Sequence, residues 1–202
     1  REKEAEEMKA AAEKAGVMLM VGFVCRFGAD TAVMKDFIDD GVLGEIYYAK
    51  ASYLRRHGCP GGWFQNKELS GGGPLIDLGV HRIDQTRFLV GSPKPVSVYG
   101  VTFDKLKNRP GIKNGISRNV GAGSAGKSDA FDVEDFASAM VRFDNGFVLQ
   151  VEASFSLNIK QDQGNVELFG TKAGAKLNPV ELYTDISGHM VNVEMCTPVE
   201  VS

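Results

Sequence analysis

The stretch FASAMVRFDNGFVLQVEASF, residues 136–155, holds two β-rich runs on either side of a tight turn. The runs at 136–143 and 147–155 are rich in the β-branched and aromatic residues typical of strands. Between them stand Asp144, Asn145 and Gly146. Asn and Gly tolerate the positive φ that a short hairpin turn needs. The stretch therefore predicts an antiparallel hairpin.

More strands are predicted on both sides of this hairpin. The candidates are 46–54, 96–103, 165–170 and 180–184, with a weaker one at 191–196. Strand following strand at short spacing indicates a largely antiparallel meander in the second half of the chain.

Helices are predicted mainly in the first half. They cover 2–15, a segment capped at Asp30 or Thr31 and closed by Gly41, and 74–90. The all-apolar run VMLMVGF at 17–23 predicts a strand covered on both faces. A helix followed by such a strand is typical of a parallel α/β layer, so we expect the chain to begin inside one.

The composition is that of a soluble globular protein, with 43% hydrophobic and 24% charged residues among 202. A net charge of −3 argues against a nucleic-acid-binding protein. No apolar run approaches the roughly 20 residues of a membrane span, and the charged first residues lack the apolar stretch of a signal peptide. We therefore expect a cytoplasmic protein with no membrane partner.

The cysteines and histidines predict neither disulfides nor a metal site. Cys25, Cys59 and Cys196 are odd in number and far apart. His57 lies near Cys59 and His189 near Cys196, but this spacing and ligand number suit a structural zinc poorly.

The stretch GAGSAGKS, residues 121–128, matches both the dinucleotide fingerprint and the P-loop. Either site needs a buried strand before it and a helix after it. The preceding residues are polar and interrupted by Pro and Gly, and the following ones are acidic and strand-like. We therefore expect a mobile glycine loop that binds no nucleotide.

The stretch SGGGPLIDLGVHRID, residues 70–84, is the stronger candidate for chemistry. Three glycines leave the backbone open to close approach by a ligand. Helical spacing puts Asp77, His81 and Asp84 on one face. A carboxylate beside an imidazole suits proton transfer near neutral pH. The residues alone leave open a capped helix with a structural histidine.

Three stretches together resemble the Gfo/Idh/MocA family of NAD(P)-dependent oxidoreductases, named for glucose–fructose oxidoreductase and inositol dehydrogenase. They are VGFVCRF with MKDFIDDGVLGEIYYAKASYLRR, GGWF with SGGGPLIDLGVHRIDQTRFLVG, and VEDFASAMVRFDNGFVLQVEASF. The similarity runs in order over nearly the whole chain.

The resemblance implies an α+β fold. It implies a large open, mostly antiparallel sheet with helices on one face, which often forms a homo-oligomer interface. Residues 1–23 would be the helix–strand remnant of an N-terminal Rossmann domain. Residues 24–202 would form the C-terminal substrate and oligomerisation domain, truncated at its C-terminus.

The resemblance also implies hydride transfer between NAD or NADP and a sugar, polyol or derivative. His81 would be the catalytic acid–base group, and Asp77 would orient it or contact the substrate. Arg26 would bind substrate and cofactor, and Trp63 would lie near the cofactor. Arg55, Arg56 and His57 are further candidate contacts to substrate or a cofactor phosphate.

This sequence departs from the family pattern in three ways. The Glu-Lys-Pro motif with the catalytic Lys, the glycine fingerprint and the ribose-binding acid have no counterpart here. Phe64 stands where many relatives have Arg, and Val24 where Asn is common. The chain stops at Ser202, before the segment that packs back on the first domain. We therefore expect an inactive fragment of an enzyme; the alternative is a non-catalytic binding or dimerisation module.

Overall fold

The computed structural model describes residues 2–107 and 131–196. Its helices are α1 (Glu2–Ala15), α2 (Ala29–Asp39), α3 (Lys67–Ser70) and α4 (Val80–Leu89), with 3-10 turns at Val24–Phe27 and Gly62–Gln65 and a π-helical turn at Leu75–Gly79. Its strands are β1 (Ile46–Leu54), β2 (Pro95–Phe103), β3 (Phe136–Phe143), β4 (Val148–Ser154), β5 (Gln163–Gly170), β6 (Ala173–Lys176), β7 (Glu181–Ile186) and β8 (His189–Glu194). The predicted glycine loop at 121–128 lies outside the described residues.

All eight strands form one open sheet in the order β2-β3-β4-β1-β5-β6-β7-β8. Neighbouring strands are antiparallel except β1 and β4, which run parallel from Tyr48 opposite Val148 to Leu54 opposite Ser154. The predicted α+β architecture with a mostly antiparallel open sheet is confirmed.

The hairpin at 136–155 forms as predicted. Gly146 adopts a φ of 87°, and Phe143 N donates a hydrogen bond to Phe147 O at 2.9 Å. Asn145 Oδ1 accepts a hydrogen bond from Phe147 N at 3.2 Å. The turn chemistry therefore fixes the register of β3 against β4.

The hydrophobic core lies on one face of the sheet, beneath α2 and α4. Alternate strand residues point into it, and Met34 of α2 and Leu89 of α4 are buried against them. The other buried members include Ala49, Ala51, Phe143, Phe147, Leu149, Val151, Val166 and Leu168. The small alanines on β1 leave room for the helices to approach the sheet closely.

A buried polar contact joins the two core helices. Gln85 Nε2 donates to Thr31 Oγ1 at 2.7 Å, and Thr31 Oγ1 donates to Cys25 O at 2.7 Å. Neither Thr31 nor Gln85 is more than 1% exposed. The prediction that Asp30 or Thr31 caps this helix is wrong. The helix α2 begins at Ala29 with Gly28 as its N-cap, and the Thr31 side chain is hydrogen-bonded inside the fold.

The strand predicted at 17–23 is also wrong. This segment forms no strand, and its apolar side chains are exposed, with Met18 at 91% and Val21 at 70%. A strand needs a neighbour that takes its backbone N–H and C=O groups, and the eight described strands place none beside it.

The opposite face of the sheet carries polar and aromatic side chains and has no described helix packed on it. Tyr48 Oη donates to Gln150 Oε1 at 2.7 Å across the parallel pair of β1 and β4. At the edge, Tyr99 of β2 lies opposite Met140 of β3, and both are more than half exposed. The fold thus leaves one broad sheet surface open.

Candidate active site

The predicted helix at 74–90 begins with a wide turn instead of a regular α-helical one. Residues Leu75–Gly79 are π-helical, and Val80 N donates to Leu75 O five residues earlier. A Cβ added at Gly79 would lie 3.3 Å from Ala153 Cβ of β4, so the turn packs closely on the sheet. The extra residue of a π turn changes which side chains share a face.

Asp77 and His81 line a common cleft of about 250 Å³. The other residues that line it are Trp63, Phe64, Ser70, Gly72, Ile76 and Val80. Trp63 and Phe64 form one wall as a stacked pair, with ring centroids 3.9 Å apart at 26°. The predicted catalytic pair therefore meets at a concave surface that is partly aromatic and partly polar.

Both members of the pair carry a buried polar atom without a partner. Asp77 Oδ2 and His81 Nδ1 have no hydrogen-bond partner among the described residues. His81 packs edge-on against Phe23, with ring centroids 6.3 Å apart. Because buried polar atoms are nearly always bonded in proteins, these two have hydrogen-bonding capacity left for a ligand.

Burial raises the pKa of Asp77 above its ordinary value, since half-burial penalises the charged carboxylate. The positive charge of Arg55 opposes this effect, and His81 opposes it further. No hydrogen bond between Asp77 and His81 is found in the described part of the chain, so the pair interacts here through charge and proximity.

The third residue of the predicted face, Asp84, faces a different partner. Arg26 Nε donates to Asp84 Oδ2 at 2.7 Å, and Arg26 Nη2 donates to Asp84 Oδ1. The guanidinium also lies over the rings of Phe23 and Phe88, at 5.7 and 5.6 Å from their centroids. Arg26 does not line the cleft; it reaches the site through Phe23, which contacts His81.

The triple glycine has structural reasons of its own. Gly71 ends α3 with a φ of 83°. A Cβ on Gly72 would lie 2.8 Å from Ile76 Cδ1, and one on Gly73 would lie 2.2 Å from Glu134 O. The sequence predicted that a ligand approaches this backbone closely. At Gly73 the space is instead filled by the backbone of Glu134. Gly72 does line the cleft.

Sequence reasoning did not single out several residues of the site. Ser70, Ile76 and Val80 line the cleft. Their residue types do not mark them as site residues in the sequence, because the wide turn that brings them to the cleft is not evident there. Arg55, a candidate contact named from the sequence, lies directly after β1, and its positive charge acts on Asp77. Its Nη1 donates to Gly58 O at 2.8 Å.

Over 2–107 and 131–196, no three His, Cys, Asp or Glu side chains gather as metal ligands. No helix within these two ranges has the length and apolarity needed to cross a bilayer.

Several proteins of known sequence resemble the chain. It is 40% identical over 192 residues to D-glucoside 3-dehydrogenase of Escherichia coli (strain K12), which covers 94% of this chain and 52% of that protein. It is 34% identical over 173 residues to a putative UDP-kanosamine synthase oxidoreductase subunit of Amycolatopsis mediterranei (strain S699), covering 85% of this chain and 46% of the relative. The chain therefore spans about half the length of the curated relatives it matches.

Solved structures share the fold. Levoglucosan dehydrogenase in complex with NADH and L-sorbose superposes with a TM-score of 0.73 at 26% identity, covering 95% of this chain and 51% of that one. The profile of the GFO/IDH/MocA C-terminal domain matches residues 31–176, which include the wide turn, the Asp77–His81 pair and strands β1 to β6. With that match over most of its length, the chain belongs to the GFO/IDH/MocA family.

Proposed function

We propose that this chain is the substrate and oligomerisation domain of an NAD(P)-dependent dehydrogenase that acts on a sugar, a polyol or a derivative. In this proposal residues 1–23 belong to the Rossmann domain and residues 24–202 to the substrate domain. The observation that carries it is the pair of unpartnered buried atoms, Asp77 Oδ2 and His81 Nδ1, at one cleft. The identity to a D-glucoside 3-dehydrogenase supports the substrate class.

The residues of the cleft suit a nicotinamide cofactor beside a polyhydroxylated substrate. Trp63 is 49% exposed and offers a flat indole edge at the rim. The side chain of Arg26 keeps 38% exposure despite its bond to Asp84, so its outer edge remains open to a phosphate or hydroxyl. We infer that Trp63 and Arg26 lie on the cofactor side, with Arg26 also within reach of substrate.

An oxidised nicotinamide held on the Trp63 side of the cleft would supply the hydride acceptor for the substrate carbon. His81 takes the hydroxyl proton as the C–O bond becomes a carbonyl, so the O–H and C–H bonds are both broken. The Asp77 carboxylate stabilises the positive charge that forms on the imidazole. Holding both reactants side by side in one cleft would supply much of the rate enhancement.

The open sheet face fits self-association of the protein. Tyr99 is 77% and Met140 51% exposed on neighbouring strands, while Lys50 and Glu152 make the centre of the face polar. Apolar edges around a polar centre are compatible with a face that meets its own copy. We expect the state of association to change when Tyr99→Glu adds a charge there. Met8→Glu on the exposed helix α1 is the control.

The deciding experiment is a substrate screen with the full-length gene product. Glucosides, free sugars and polyols are tested with NAD and with NADP, and formation of reduced nicotinamide is measured. Turnover of at least one of them supports the proposal. A folded full-length protein that turns over none would support the binding or dimerisation module instead.

Residues 1–202 alone are expected to give no turnover. None of the described elements forms the glycine-rich βαβ unit that holds a dinucleotide. Measurable turnover by these residues alone would contradict the assignment of cofactor binding to a separate Rossmann domain.

A further inference from the structure

The buried polar atoms without partners are not spread over the protein. Among the described residues they come from two short segments, 55–57 and 77–82, which lie at the end of β1 and along the wide turn into α4. They are Arg55 Nε, His57 Nδ1, Asp77 Oδ2, His81 Nδ1 and Arg82 Nε. Since folded proteins leave few such atoms, their concentration here marks a polar cluster larger than the Asp77–His81 pair.

Arg55 is held firmly within this cluster. Its backbone N donates to Ser154 O at 3.1 Å, and Ser154 Oγ donates back to Arg55 O at 3.1 Å. Its guanidinium lies over the Tyr53 ring, 5.5 Å from the centroid, and Nη1 is bonded to Gly58 O. These contacts fix the position of the charge with little freedom to turn away.

Arg55 is not among the side chains that line the cleft. Tyr53, on whose ring the Arg55 guanidinium lies, packs against the apolar cluster that contains Leu78, the residue after Asp77. Arg55 Nε is a buried donor without an acceptor, and Asp77 Oδ2 is a buried acceptor without a donor. The two are close enough for the positive charge of Arg55 to favour the ionised form of Asp77.

Other titratable groups also face Asp77. His81 lies one turn further along and favours the carboxylate as well, though less than Arg55 does. The Cys59 thiol is also close enough to interact with Asp77. Burial is the main cause of the raised pKa of Cys59, and the negative charge of Asp77 raises this pKa further. Glu134 borders the neighbouring Gly73 and is not among the charges that act on Asp77.

We propose that Arg55 is a positioning residue that holds the half-buried Asp77 as a carboxylate beside His81 without touching the substrate. The charge of Asp77 does not depend on the proposed function; the effect on turnover rests on it. A neutral Asp77 would no longer stabilise the protonated imidazole, so loss of Arg55 should act on the reaction through Asp77.

The first test measures Asp77 directly. The carboxyl carbon of Asp77 is titrated by NMR in the 202-residue chain, with the resonance assigned from its absence in Asp77→Asn. Arg55→Met removes the charge at similar length, and Arg55→Lys restores a charge. Arg82→Met is the matched control, because Arg82 also lies over Tyr53, at 5.4 Å, but is not among the charges acting on Asp77.

Arg55→Met should shift the Asp77 midpoint to higher pH, Arg55→Lys should restore most of the original value, and Arg82→Met should leave it unchanged. An unchanged midpoint in Arg55→Met overturns the proposal, as does an equal shift in Arg82→Met. If Arg55→Met fails to fold, as judged by circular dichroism, an Arg55→Lys midpoint near that of the parent supports the proposal, and one displaced to higher pH overturns it.

The second test uses the full-length gene product and the pH profile of kcat/KM. In Arg55→Met the acidic limb should move to higher pH, with kcat reduced more than KM is raised. If the acidic limb of the kcat/KM profile stays in place while the NMR midpoint of Asp77 moves, the claim that Arg55 acts on turnover through Asp77 is overturned. A full-length protein without any turnover would overturn the proposed dehydrogenase and leave the NMR result standing, so the two failures are distinguishable.

Discussion

Arg26 donates two hydrogen bonds to the carboxylate of Asp84, joining the 3-10 turn before α2 to the middle of α4. The Asp84 side chain is only 9% exposed, whereas that of Arg26 is 38% exposed. Two parallel N–H···O bonds fix the relative orientation of these segments. The same guanidinium packs on Phe23, which contacts His81, so this ion pair supports one side of the cleft.

Arg26→Met should therefore destabilise the chain, because it leaves Asp84 charged and nearly buried without a partner. We expect a loss of about 1–3 kcal/mol in the free energy of unfolding, below the value for fully buried pairs since Arg26 is partly exposed. Urea unfolding measures it. Arg26→Met combined with Asp84→Asn should cost less than the sum of the single changes, and strict additivity would contradict a direct interaction.

His81→Ala in the full-length gene product should lower kcat by roughly 10²–10⁴-fold, the usual contribution of the general acid–base role proposed for His81. The matched control is His189→Ala, since His189 is exposed on β8 and does not line the cleft. Its kcat should remain that of the parent. A twofold loss in His81→Ala would give His81 a structural role.

Asp77→Asn should stabilise the chain near neutral pH. Asp77 has a raised pKa in the folded state, so its contribution to stability is fully present below its ordinary unfolded pKa. That contribution is lost as the pH rises through the raised value, where the charged form must be held half-buried. Removing the charge should gain about 1 kcal/mol at pH 7, or about 2–4 °C in Tm, with no gain under acid conditions.

Thermal unfolding at pH 7 and under acid conditions tests this prediction, and the full-length gene product should lose its proposed turnover as it gains stability. A gain in Tm of equal size in acid and at neutral pH would show that charge burial is not its cause.

Gly73→Ala should destabilise the fold, because the new Cβ would lie 2.2 Å from Glu134 O. Backbone must then move, at a cost of about 1–3 kcal/mol. Gly22→Ala is the matched control, since a Cβ there meets nothing within 4 Å. Chemical denaturation of both variants measures the difference, and equal stability would mean that the backbone around Gly73 can shift without cost.

Trp63 is the single tryptophan of the chain and is about half exposed at the cleft. We expect NADH titrated into the full-length protein to quench its emission, because the indole lies on the proposed cofactor side. The signal is taken as the difference between the parent and Trp63→Phe. An unchanged difference spectrum at saturating NADH would contradict the placement of Trp63 near the cofactor.

Local chemistry made the sheet predictable where neighbours in sequence decide the structure. The turn at Asn145 and Gly146 forms as the sequence indicates, because Gly146 adopts the positive φ and Asn145 Oδ1 accepts a hydrogen bond from Phe147 N. By contrast, β6 at Ala173–Lys176 was missed, since AGAK lacks the β-branched and aromatic residues of a strand signal. Its pairing with β5 and β7 comes from tertiary context.

Long-range contacts decided the rest. The insertion of β1 between β4 and β5 depends on strands about a hundred positions later, which no local pattern encodes. The wide turn at Leu75–Gly79 depends on the packing of Gly79 on Ala153, and helical spacing alone therefore put Asp84 with Asp77 and His81. The structure keeps two of these three residues together at the cleft and assigns Asp84 to Arg26.

The placement of β1 between β4 and β5 has a consequence for biosynthesis. The segments of β1 and of Asp77–His81 emerge from the ribosome well before the strands that flank β1 are synthesised. At a synthesis rate of about 5–20 residues per second, several seconds pass before residues 148–170 are synthesised. During that interval the apolar side of β1 is uncovered, so we expect chaperones to engage the nascent chain here.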